Sequence, residues 1–369
     1  MKIGLNRNSL LKQLLCVLII MLLMLSLFSS ATNCVVYAQN ATDEIPYVVT
    51  TSNGEYLFER SDVFVGDNYI SKNFKMYEIV SVNSNNKTAV AVFIKDLKRP
   101  EINVNPNPSQ ISATDKKICL YMTHNDESYV PTDGYDSVYG AGGIHDVAKK
   151  LKNELELMGI SVTLDETLHI PHNSSAYSRS SVTAKGLLKN YSPDALFDIH
   201  RDGVSRKFYA TEGGGKQRSK IRIVVGQANP NKEQNLEFAT YLMSVAEEKY
   251  PWLFTDIYFA KGHYNQALTN KALLFEMGTY LIEKELVYAS VYPLADVINT
   301  ALYNTTVNEQ TGNITIGGDV SSTQPTVNEY LNTETKTTNN ANVSAIILSA
   351  IALVLVTWGL GTIYLKYKK

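Results

Sequence analysis

The sequence is short of cysteine and has no excess of charge of either sign. Its 369 residues include three cysteines, too few and too scattered for a disulfide framework. Cys16 lies in the first apolar segment. Cys34 follows Ala31-Thr32-Asn33, which does not resemble a lipoprotein processing site. Cys119 falls in an expected strand, where a reduced, buried thiol is the common state, so no bridge is expected. Lys and Arg number 34 against 36 Asp and Glu, a formal charge of −2, and this balance argues against nucleic acid as a partner. Gly213-Gly214-Gly215 follows no strand-to-helix phosphate-binding pattern, which rejects a nucleotide site.

What is present starts at the two ends. Lys2, Arg7 and Lys12 precede an apolar stretch over 14–28, and Val36-Tyr37-Ala38 offers small residues suited to cleavage before Gln39. This reads as a secretory signal over 1–38, with an uncleaved N-terminal anchor as the alternative. Residues 343–365 form an apolar run of membrane-spanning length, followed by Lys366, Lys368 and Lys369 in a tail at 366–369. The positive-inside rule puts those lysines in the cytoplasm. The expectation is therefore a cell-membrane protein, single-pass at its C-terminus, with the region between the two segments extracytoplasmic whether or not the first is removed. Gly359 and Gly361 lack the four-residue spacing of a helix-pairing motif, so no dimer is expected from them. Residues 304–342 are rich in Thr and Asn, show no repeat and read as a flexible stalk.

Between the ends, residues 43–98 alternate apolar and polar positions around turn signals at Ser52-Asn53-Gly54, Gly66-Asp67-Asn68 and Asn83-Ser84-Asn85-Asn86. They read as a small β-rich domain without a chemical constellation. A Pro- and Asn-rich linker spans 99–113. Within 114–303, strands are expected at 117–123, 160–164, 195–199, 221–225 and 272–275. Helices are expected where Val147, Leu151, Leu155 and Met158 make one stripe closed by Gly159, at 232–248, and at 283–291 before Pro293. The expected fold class is α/β, a mostly parallel sheet flanked by helices, with the small N-terminal β-rich domain and the C-terminal transmembrane helix as additions.

Three strand ends carry the chemistry. An open α/β sheet brings the residues at the carboxyl ends of its strands to one crevice. His124 and Glu127 follow the apolar run Ile118-Cys119-Leu120-Tyr121-Met122, and His200 follows Ala195-Leu196-Phe197-Asp198-Ile199. Two imidazoles and one carboxylate would hold Zn2+ with a position left for water, the arrangement of a catalytic site. Glu276, directly after Ala272-Leu273-Leu274-Phe275, is costly to bury unless it reaches a pocket or pairs with a charge. It is the expected general base and acid for amide hydrolysis. Arg201, Arg206, Lys207, Lys216, Arg218, Lys220 and Arg222 follow the second His, and they read equally well as a basic rim for acidic stem peptides or as a solvated strand edge.

The segments His124-Asn125-Asp126-Glu127-Ser128-Tyr129, Tyr177-Ser178-Arg179-Ser180, Asp198-Ile199-His200-Arg201-Asp202, His263-Tyr264-Asn265-Gln266 and Glu276-Met277-Gly278, in this order, resemble the stage II sporulation protein P family over about residues 117–299. That family is similar to zinc-dependent N-acetylmuramoyl-L-alanine amidases, degrades peptidoglycan during engulfment of the forespore and is also credited with endopeptidase activity. The resemblance implies an amidase-like catalytic domain, with His124, Glu127 and His200 on zinc and Glu276 as catalytic residue. It also implies Arg201, His263 and Asn265 at the substrate, and peptidoglycan and engulfment-complex proteins as partners. Many members carry a further His two places before the metal His, where this chain has Met122. Glu127 could instead fix a ligand from outside the coordination sphere, with His145 in its place. His169 and His172, flanking Pro171, are expected to be exposed. A zinc endopeptidase and a non-catalytic wall-binding scaffold remain the competing readings.

Overall fold

A computed structural model describes residues 45–102 and 116–303. Five strands come first: β1 (Tyr47–Thr51), β2 (Tyr56–Arg60), β3 (Asn68–Ser71), β4 (Lys75–Asn83) and β5 (Thr88–Asp96). They are followed by β6 (Lys117–Tyr121), α1 (Val130–Asp133), α2 (Ile144–Leu157), β7 (Ser161–Asp165), α3 (Ala176–Tyr191), β8 (Ala195–Asp202) and α4 (Arg206–Tyr209). The chain continues through the hairpin β9 (Ala210–Gly213) and β10 (Lys216–Ser219), then β11 (Ile221–Gly226), α5 (Lys232–Lys249), β12 (Phe254–Ala260), β13 (Ala272–Thr279) and α6 (Lys284–Tyr303).

Eleven strands make one sheet in the order β2-β1-β5-β4-β3-β12-β11-β13-β8-β6-β7. In its C-terminal half, β13, β8, β6 and β7 run parallel, as do β11 and β12. One pair, β11 with β13, is antiparallel, so the mostly parallel expectation holds there with a single reversal. Alternation along β6 sorts its side chains to two faces. Ile118 and Leu120 join the main core with Val147 and Leu151 of α2, while Cys119 and Tyr121 meet Ala184 and Leu187 of α3. Cys119 is a buried free thiol.

The N-terminal strands expected as a separate small domain extend this sheet. β3 pairs antiparallel with β12 from Asp256↔Ser71 to Phe259↔Asn68. Phe58 of β2 stacks on Tyr69 of β3 at 4.6 Å and meets Tyr258 of β12 edge-on at 5.5 Å. An unpaired β12 would be an exposed edge beside apolar side chains, and β3 covers it. With these strands included the sheet is mixed.

The last helix also departs from expectation. α6 runs through Pro293 to Tyr303. Proline cannot donate to the carbonyl four residues back, but here that carbonyl, Ala289 C=O, accepts from Arg218 Nη1. A side chain thus replaces the missing backbone donor. β12 and α3 have no counterpart among the elements expected from the sequence.

No helix among the described residues is long and apolar enough to cross a membrane. The signal or anchor segment, most of the linker, the stalk, the 343–365 span and the lysine tail lie outside the described residues.

Candidate active site at the strand ends

Register brings the chemistry together. Tyr121 of β6 pairs with Asp198 of β8, and Glu276 of β13 pairs with His200 of β8. Because these strands are parallel, the residues just past Tyr121 and those at His200 and Glu276 emerge at the same end of the sheet. They open on a cleft of about 640 Å³ lined by His124, Glu127, His172, His200, Glu276 and Arg60, among others.

Glu127 joins the two expected imidazoles. Its Oε1 lies 3.1 Å from His124 Nδ1 and 3.4 Å from His200 Nδ1, and its Oε2 accepts the Arg201 backbone N–H at 2.8 Å. Burial pushes the Glu127 carboxyl up, but His200 and the hydrogen bond with His124 hold it well below the usual range. Burial lowers His124. Burial also opposes charging of His200, yet Asp198 and Glu127 together hold its pKa well above the ordinary imidazole value.

Asp198 organises the base of the cluster. It accepts the Thr123 backbone N–H at 2.8 Å and the Thr123 hydroxyl at 2.6 Å, which ties the end of β6 to β8. Its Oδ1 lies 2.9 Å from His200 Nε2, within ion-pair distance. The ring therefore has Glu127 at its Nδ1 and Asp198 at its Nε2. Two imidazole Nδ1 atoms converging on one carboxylate, with a second carboxylate behind His200, are the donor chemistry of a divalent-cation site.

His172 is one cleft residue that sequence reading missed. Among the described residues, the set whose ligand atoms all lie within 4.8 Å of one another is His124, Glu127 and His172. The His172 ring is exposed, as expected, but it stacks on His124 at 3.8 Å, and its Nδ1 lies 3.0 Å from Asp126 Oδ1. Asp126 also accepts from the Ser137 hydroxyl at 2.7 Å. Arg179 holds the His172 loop through the carbonyls of His169 and Pro171. The carboxylate that fixes His172 is two residues from His124, and this proximity was the available signal.

His169, expected to be exposed, is buried, with Nδ1 2.7 Å from the Met122 carbonyl and Nε2 2.9 Å from the Thr183 hydroxyl. His145 is not in the cleft: it is buried on α2 with Nδ1 3.0 Å from Glu166. It therefore does not take the place of Glu127.

Among the expected substrate residues, Arg201 lines the cleft, but its guanidinium donates to the carbonyls of Ser128 and Asp136. His263 is exposed and is not among the residues lining the cleft. Asn265 donates to Ser180 Oγ at 2.9 Å, and Ser180 Oγ lies 2.7 Å from the Thr123 hydroxyl oxygen, so Asn265 braces the site from behind. Tyr264, between these two, is the residue of that turn lining the cleft, where it meets Tyr177 edge-on at 5.5 Å. The basic run after His200 is dispersed into pairs: Arg206 with Glu283, Lys207 with Glu59, and Arg222 fully buried between Asp202 and Asp256.

Glu276 is buried in the cleft wall, and burial, reinforced by Asp202, pushes its carboxyl up to about 7 against the opposing pull of Arg60 and His200. Its partner comes from the N-terminal strands: Arg60 Nη1 lies 3.1 Å from Glu276 Oε1. Arg60, Ser61 and Asp62 all line the cleft, so the segment expected to carry no chemistry supplies one wall.

Fold and cleft together define a mixed α/β protein that presents an imidazole–carboxylate donor set and a separate, raised carboxyl at the ends of parallel strands. The chain belongs to the Stage II sporulation protein P (SpoIIP) family, whose model matches residues 40–299. It is 32% identical over 190 residues to the Stage II sporulation protein P of Bacillus subtilis (strain 168), covering 46% of this chain and 47% of that one. It thus spans about half the length of the curated relative it matches. Among solved structures, it is similar to the CwlD amidase from Clostridioides difficile in complex with the GerS lipoprotein, at 15% identity and TM-score 0.35 over 50% of this chain and 95% of that one. It is also similar to the catalytic domain of CwlV, an N-acetylmuramoyl-L-alanine amidase from Bacillus (Paenibacillus) polymyxa var. colistinus, at 12% identity and TM-score 0.34 over 52% and 99%. Likeness at these scores carries no functional weight.

Proposed function

We propose that this protein is a zinc-dependent peptidoglycan hydrolase that cleaves the amide between N-acetylmuramic acid and the L-alanine of the stem peptide during sporulation. The observation that carries the reading is the convergence of His124, Glu127 and His200 beside Glu276 in one cleft. Membership of the SpoIIP family supports the sporulation setting and the wall as substrate.

His124, Glu127 and His200 would hold the ion, with His172 against His124 as a further donor within reach. Bound there, zinc would supply a lowered pKa for water and polarisation of the carbonyl under attack. Glu276 takes the proton from the attacking water and returns it to the leaving amine, roles served best by a carboxyl poised near the working pH. Tyr177 and Tyr264 offer aromatic edges and faces to a sugar or peptide in the cleft. The apolar ends of the sequence support a tethered, extracytoplasmic enzyme, with the stalk spanning the distance from membrane to wall; engulfment-complex proteins would be its partners.

The test is digestion of purified peptidoglycan by the full chain, with and without a chelator, alongside Glu276→Gln, with products identified by mass. Free stem peptides with an exposed L-alanine amine are expected. Intact sugar-peptides with severed cross-links would instead make it an endopeptidase, and equal digestion by parent, stripped protein and Glu276→Gln would overturn the mechanism.

A further inference from the structure

We propose that Arg60 is a positioning residue that holds the Glu276 carboxylate in its working orientation, which makes β2 part of the active centre. The inference rests on the reading of Glu276 as general base. Its ground is geometric. Arg60 ends β2, 216 residues before Glu276 in sequence, and its Nη1 donates to Glu276 Oε1 at 3.1 Å inside the cleft wall.

The guanidinium is itself fixed from two further sides. Its centre lies 4.9 Å above the Tyr258 ring, and Nη1 lies 3.9 Å from Asp202 Oδ2. Asp202 is held in turn by Arg222 Nη1 at 2.8 Å and by the Tyr209 hydroxyl at 2.9 Å, while Arg222 spends its other nitrogens on Asp256. The buried row Asp256, Arg222, Asp202, Arg60, Glu276 alternates in charge, so each cation has a carboxylate on either side. Removing one partner from such a row leaves an uncompensated buried charge.

A purely structural ion pair would use its polar atoms up. This one does not: Glu276 Oε2 and Arg60 Nε are both buried, both belong to cleft-lining residues, and neither has a hydrogen-bond partner. Buried polar atoms are paired in the great majority of cases, so two orphans at one ion pair call for an explanation. Arg60 pins Oε1, so the unpaired Oε2 is the oxygen left to exchange the proton with the water and the leaving amine. A carboxylate free to rotate would lose the geometry that proton transfer needs.

The experiment measures wall digestion by the full chain over a range of wall concentrations for Arg60→Met, Arg60→Lys and Glu276→Gln, together with zinc content and melting temperature. Arg60→Met is expected to lower the saturating rate about 10- to 100-fold while leaving half-saturation and zinc content at the parent level. Arg60→Lys, which restores the charge without the fork, is expected to recover at least about threefold of that loss. In the Glu276→Gln background, adding Arg60→Met should change the residual rate by less than about twofold, because a residue acting through Glu276 has nothing left to position. Three results would overturn the inference: a saturating rate for Arg60→Met within about threefold of the parent, equal losses for Met and Lys, or a loss accompanied by loss of zinc or by melting near the assay temperature. If Glu276→Gln itself digests wall at the parent rate, the reading of Glu276 fails first; if it is inactive while Arg60→Met is not, only the present inference fails.

Discussion

At the scale of single residues, the site works by setting neighbouring titratable groups apart. Glu127 is held ionised by His200 and His124, whereas Glu276, a strand away, is raised to about 7 by burial and Asp202. A general base acts only when deprotonated, so activity falls as pH drops through the Glu276 pKa. A bound cation adds to Arg60 and His200 in favouring the carboxylate, which moves this limb down. The acid limb of the pH–rate profile is therefore expected at or below about pH 7, and a limb well above it would contradict the assignment. Asp198 gives a second residue-scale expectation. It faces His200 Nε2 and ties Thr123 in place, so Asp198→Asn is expected to weaken zinc binding about 10- to 100-fold in competition with a chromophoric chelator, the usual effect of losing a carboxylate behind a ligating histidine.

Residues with a local signature were readable from the sequence. His124, His200 and Glu276 each follow an apolar strand, and the parallel register that joins them is the ordinary consequence of strands alternating with helices. Arg60 had no such signature. A lone arginine ending a short strand is usually a surface group, and here the packing of β2 on Tyr258 of β12 accompanies its approach to Glu276. His172 was hidden for a similar reason: its carboxylate partner Asp126 lies 46 residues earlier.

At the scale of elements, β13 shows how a strand end is shaped for a site. Its pairing with β8 shifts between Glu276 and Thr279, and Gly278 within that stretch has φ +80°. A side chain there is disfavoured twice over, by the backbone and by space. A Cβ would lie 2.6 Å from Ser219 Oγ, 3.1 Å from Ile282 and 3.2 Å from Val287. Met277 next to it is anchored by the Tyr129 hydroxyl at 2.9 Å. Gly278→Ala is expected to destabilise the fold by about 1–3 kcal/mol in urea unfolding and to lower activity by moving Glu276; an unchanged midpoint would show that the shift tolerates a methyl group. The elements missed from sequence share a cause. α3 buries only Ala176, Ser180, Ala184 and Leu187, a stripe of mostly small residues that hydrophobic periodicity does not flag, and Pro293 marks a helix end by rule while Arg218 removes the reason for the rule.

At the scale of the whole molecule, the N-terminal strands and the strands that carry the cleft are two halves of one sheet, which decides whether the second half can stand alone. Cutting the chain to residues 116–303 would strip β3 from β12 and leave the ladder groups from Asp256 to Phe259 unpaired. It would also uncover Tyr258, packed against Phe58, and Ile257, packed in the same core as Ile70. A flat edge flanked by apolar side chains is a template for intermolecular pairing. Arg222 would lose the Glu59 carbonyl, and Glu276 would lose Arg60. The fragment is therefore expected to elute in the void volume on size exclusion, or to remain insoluble. Any monomeric fraction recovered by refolding should digest wall no faster than Arg60→Met, because it lacks Arg60 and also the cleft wall that Ser61 and Asp62 supply. Supplying residues 45–102 as a separate chain should restore solubility, because the missing surface is continuous with that segment. A monomeric, fully active 116–303 fragment would mean that β12 tolerates exposure and that the first half of the sheet contributes nothing to Glu276.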